Sequence, residues 1–141
     1  MPDYDLNAPA SQRQHRTEVT GWPGYWATRE GGEVEAETSK VWDGGSLKPS
    51  TLTGPAETGN VTVSTPYRPA RHGALASRYA KLVGRWRTTI KVFDTDPDLV
   101  AVGQPIVYAD ALLVRLKRPE GDAASSDSGV IELEFAVDGE A

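Results

Sequence analysis

At 141 residues the chain fills one domain of ordinary size, which excludes a modular enzyme. Hydrophobic residues make up 38% and charged residues 25%, with 14 Gly, 10 Pro and no Cys, a balance that fits a loop-bearing β protein and excludes disulfides, thiolate metal sites and, on its Gly and Pro content, a helical bundle. The formal net charge of −5 is segregated: residues 1–67 carry five bases against nine acids, residues 68–91 seven bases and no acid, and residues 92–141 three bases against eleven acids.

Residues 1–16 hold little to bury beyond Tyr4 and Leu6 and read as a flexible N-terminal arm, leaving 17–141 as the single domain. The arm has neither the basic start nor the apolar run of a signal peptide, and no apolar stretch approaches the ~20 residues of a spanning helix. Trp22, Tyr25 and Trp26, around Pro23-Gly24, mark the first material suited to burial. Gly31-Gly32 predicts a β-hairpin joining 25–29 to 33–42. In its second strand Val34, Ala36, Thr38, Lys40 and Trp42 share one face, and Glu33, Glu35, Glu37, Ser39 and Val41 the other. Asp43-Gly44-Gly45 ends that strand, and 43–59 reads as one long loop.

A short strand over 60–65 follows, then Pro66 and Pro69 separate it from a helix over 70–83, where Ala74, Leu75, Tyr79, Leu82 and Val83 recur at spacings of three and four before Gly84. Alternation and β-branching predict a strand over 86–93, an acidic turn over 94–98, and a long strand over 104–118 bent near Asp110-Ala111. Residues 119–129 form a polar loop. In the last strand Ile131, Leu133, Phe135 and Val137 line one face and Glu132, Glu134 and Ala136 the other.

Three segments carry a family resemblance by their order. Gly59-Asn60-Val61-Thr62-Val63 leads to a helix that supplies Tyr79; the strand from Trp86 runs into a charged turn; and a small-polar loop precedes Val130-Ile131-Glu132-Leu133-Glu134 and a closing Asp138-Gly139. In this arrangement the chain resembles the phage tail tube proteins, whose relatives form the inner tubes of contractile injection systems. The resemblance spans residues 20–139, and the segment GWPGYWATREGG departs from it. It implies a mainly β, β-sandwich or barrel-like fold with one flanking α-helix. It further implies hexameric rings stacked into a tube around a DNA-conducting lumen, in a virion tail assembled in the host cytoplasm. The partners so implied are further copies of the chain, a tape-measure protein, terminator and baseplate-proximal proteins, and dsDNA in passage, with no membrane insertion and no cofactor. The alternatives are a tail terminator or head–tail connector protein, or a nucleic-acid-binding module.

The charged residues admit more than one reading. Glu33, Glu35 and Glu37 are either the wet face of a hairpin or part of a lumen wall that repels phosphates, a role Glu132 and Glu134 share. Arg78, Lys81, Arg85 and Arg87, with Trp22 and Trp26, are candidates for contacts between subunits; the basic band also fits a nucleic-acid patch or plain solubility. His15 and His72 form no metal pair. Asp94, Asp96 and Asp98 lack the glycine and distal glutamate of a calcium loop and read as a turn. No phosphate loop or activated nucleophile is legible, so neither catalysis nor a metal site is expected.

Overall fold

The computed structural model describes residues 13–42, 44–45, 47–121 and 129–140. Its organising element is β8 (Val130–Ala136), whose alternation puts Ile131, Leu133 and Phe135 fully inside. Two antiparallel neighbours flank it. β5 (Val61–Pro66) sets Val61 and Val63 against Phe135 and Leu133, and β7 (Ile106–Lys117) sets Leu113 against Phe135. Beyond β7 lie β6 (Arg87–Asp94) and β1 (His15–Val19); beyond β5 lies β2 (Thr28–Gly31), giving the order β1-β6-β7-β8-β5-β2.

The sheet curls into a half-barrel because β7 carries two extra residues. Ala109 and Asp110 together oppose Thr89, and Val114 is inserted between Leu113 and Arg115; each bulge bends the strand and increases its twist. Asp110 takes a positive φ of 54°, tolerable for Asp, so the expected bend at 110–111 is a bulge. The curl brings the two edges together: the Trp26 N–H, two residues before β2, donates to the Thr17 carbonyl of β1 at 2.9 Å.

The single helix, α1 (Pro69–Ala80), flanks the core and buries His72, Ala76 and Tyr79. Pro69 occupies its first turn, where a missing N–H costs nothing. The N-cap residue, Arg68, has no capping side chain of its own; instead its N–H donates to His72 Nδ1 at 3.0 Å. That bond requires an unprotonated Nδ1. Burial first, and the adjacent Arg71 and Arg68 charges, hold His72 below the ordinary imidazole range. The mainly β architecture with one flanking helix is the one the sequence led us to expect.

Three expectations differ from the structure. Gly31-Gly32 does not make a hairpin: β2 pairs with β5, and the two glycines, at φ 84° and 79°, turn the chain out of the sheet. A β-carbon on Gly31 would sit 1.9 Å from the Asn60 carbonyl oxygen, so backbone meets backbone there. Residues 43–59 are not one loop, because Ser50–Thr58 forms β4, paired with β3 (Val34–Val41) in a separate two-stranded sheet. Of the arm expected over 1–16, residues 1–12 lie outside the described residues, while His15 and Arg16 open β1.

Truncating Phe135→Ala is expected to cost about 3–5 kcal/mol, and Gly31→Ala more than about 1 kcal/mol, both read as a fall in the urea midpoint. The imidazole supplies a third check. Because the folded protein favours neutral His72, its stabilising contribution is complete above the unfolded value of 6.5 and is lost as pH falls below it. The stability difference between the wild type and His72→Gln should therefore shrink as pH falls below about 6.5 in thermal unfolding; a constant difference would show that the cap does not titrate.

Candidate assembly surfaces

Alternation that sends apolar residues inward sends a charged set to the opposite face of the six-stranded sheet. Arg115 reaches both carboxylates of β8, with Nη2 3.4 Å from Glu132 Oε2 and Nη1 3.5 Å from Glu134 Oε1. Asn60 Nδ2 donates to Glu134 Oε2 at 3.1 Å. Lys117 stands across from Glu132, and Lys91 across from Glu18. These exposed pairs contribute roughly 0–1 kcal/mol each, so they hold the sheet together weakly. Their larger effect is to cancel charge on the face that carries Glu132 and Glu134.

The glutamates of β3 belong to another surface. They lie on or beside the β3–β4 sheet, whose strands are exposed along nearly their whole length, apart from the six-stranded sheet that carries Glu132 and Glu134. Glu33, Glu35, Glu37 and Glu57 line one concavity of about 230 Å³, floored in part by Pro55. Glu35 and Glu57 are direct cross-strand partners, a like-charge pairing that destabilises an antiparallel ladder. No described cation forms an ion pair with any of the four. Past them the hairpin exposes Leu52, Trp42 and, at 98%, Leu47.

The basic band is the counterpart. Arg71 and Arg78 lie on the exposed side of α1 and Lys81 is its C-cap residue, at spacings of seven and three that align them along one stripe away from His72, Ala76 and Tyr79. Arg85 lies in the following turn, and Arg87 opens β6, where it donates to the Asp110 carbonyl at 3.4 Å. Among the described residues none of these five is ion-paired with a carboxylate.

Trp22 and Trp26 are not available to a neighbour. They are 5% and 3% exposed and sit in the subunit's own core, because the turn at Pro23-Gly24 folds both rings inward, 5.2 Å apart. The sequence offered these two for contacts between subunits, whereas the tryptophan left exposed is Trp42, 67% accessible on the hairpin. The acidic turn is stabilised locally, with Asp96 Oδ1 accepting the N–H groups of Asp98 and Val100. Among the described residues no three His, Asp or Glu side chains converge well enough to hold a metal ion.

No protein-family model matches the sequence, and no curated protein matches it. Solved structures match the fold along its whole length. A chain of the sheath–tube complex of an extracellular contractile injection system, PVC, in the extended state superposes with a TM-score of 0.77 at 16% identity, over 96% of this chain and 92% of that one. A chain of the anti-feeding prophage tube-terminating cap does so with a TM-score of 0.77 at 15% identity, over 99% and 94%. A chain of the PVC sheath/tube terminator gives 0.78 at 15% identity, over 97% and 98%. At these identities the shared property is the fold.

The opposed carboxylates carry a measurable consequence. Glu57→Gln is expected to stabilise the hairpin by about 0.2–1 kcal/mol, visible as slower hydrogen exchange at β3 and β4 amides with the body unchanged.

Proposed function

We propose that this protein is a structural subunit of a tail-type tube, forming hexameric rings that stack around a DNA-conducting lumen. The observation that carries the reading is the whole-length fold likeness to chains of tube-bearing injection assemblies. The order of sequence segments resembling the tail tube proteins points the same way.

In this reading the face bearing Glu132 and Glu134 lines the lumen. Its paired charges suit a conduit: a polyanion meets no cationic trap, since Arg115 is committed to two carboxylates. Arg78, Lys81, Arg85 and Arg87 lie between subunits, where charge sets register. A tape-measure protein fills the tube during assembly, terminator and baseplate-proximal proteins meet its ends, and the assembly takes place in the host cytoplasm before the tail is part of a virion.

A second reading, a terminator, is favoured by the equal likeness to chains of a tube-terminating cap and a sheath/tube terminator. Negative-stain microscopy of the concentrated protein, alone and co-expressed with tail partners, separates the two. Elongating hollow tubes support the tube subunit, and closed rings that never elongate support the terminator. A protein that stays monomeric under every condition defeats both.

A further inference from the structure

We propose that the four-carboxylate concavity of the β3–β4 hairpin docks the Arg71–Arg78–Lys81 stripe of α1 on a second copy of this chain. The inference rests on the self-assembling role above and names the contact that would perform it.

The hairpin is a structure waiting for a partner. Two strands alone are marginal in water, and this pair is weakened further by Glu35 facing Glu57 and by a bulge where Gly54-Pro55 opposes Glu37. Four negative charges around one concavity repel each other with no cation to offset them among the described residues. A metal ion does not fit, because the carboxylates do not converge. They are instead strung along the strand, from Glu33 to Glu37 over about 13 Å at the strand rise. An extended cationic ligand matches that shape.

The same chain carries such a ligand. Arg71 and Arg78 are separated by about 10.5 Å along the helix axis, and Lys81 follows about 4.5 Å further on. All three are exposed and none has a carboxylate partner among the described residues; Arg78 lies over its own Tyr79 ring at 5.6 Å, which leaves its N–H groups free to meet carboxylates. A guanidinium between Glu35 and Glu57 would turn the unfavourable cross-strand pair into two charge-assisted hydrogen bonds. Because the hairpin and the helix stripe are different surfaces, the contact is heterologous, the kind that closes into a ring or continues as a stack. Trp42 and Leu47, beyond the concavity on the same hairpin, supply apolar area to a neighbour that charge alone does not.

The test is a charge exchange in the full-length chain, read by sedimentation velocity and negative stain. Two variants are made, Glu35→Arg with Glu57→Arg, and Arg78→Glu with Lys81→Glu; circular dichroism establishes that each is folded. Each variant alone is expected to lose at least tenfold in assembled fraction under conditions where the wild type assembles. Mixed in equal amounts they should assemble again, since the reversed hairpin of one fits the reversed helix of the other and the remaining pair is native. Raising salt from 50 mM to 0.5 M should weaken all of these contacts in parallel. Variants that assemble like the wild type, or a mixture that stays dispersed, overturn the docking while leaving the tube subunit standing. A wild type that never assembles overturns the tube reading and the docking with it.

Discussion

A run of aromatic rings ties together parts of the chain that lie far apart in sequence, and the fold depends on it. Trp86 packs on Phe135 of β8 at 6.0 Å, Tyr79 of the helix on Trp86 at 4.3 Å, Trp22 on Tyr79 at 5.3 Å, and Trp26 on Trp22 at 5.2 Å. Such ring pairs contribute about 0.5–1.5 kcal/mol each beyond the area they bury. The Tyr79 hydroxyl donates to the Gly21 carbonyl, which anchors the turn holding Trp22 and Trp26. From there the Trp26 N–H reaches Thr17. The helix, the last strand and the pinned sheet edges are thus one mechanical unit, and its rings are spent internally.

The hairpin obeys a different logic. The six-stranded sheet is stabilised by apolar burial; β3 and β4 bury almost nothing and oppose like charges. The charge segregation of the sequence, acidic then basic then acidic, is only partly kept in space: Lys91 stands across from Glu18, while Arg71, Arg78 and Lys81 have no carboxylate partner among the described residues.

What was legible in the sequence is what burial writes into it. The helix, β6 and β8 show clean periods because each has one wet and one dry face, and Ile131, Leu133 and Phe135 are buried as their alternation requires. β7 was legible as a long bent strand, but not as two bulges, since each inserted residue shifts which side chains face inward. β4 left no trace because STLTGPAET is exposed throughout most of its length and has no face to pattern. The pairing of β2 with β5 was hidden by a Gly-Gly that resembles a hairpin turn; what distinguishes it is the close approach of the Asn60 backbone to Gly31, a contact between residues far apart in sequence. The candidate site was half visible: the acidic stripe and basic band could be read, while Glu57, which makes the stripe a concavity, lay in what the sequence presents as loop.

The outermost strands of the six-stranded sheet are short. β1 offers five residues and β2 four, and part of that length is already engaged by the Trp26 bridge. A ladder built on either edge of this six-stranded sheet would be short, which makes these two edges poor templates for another chain.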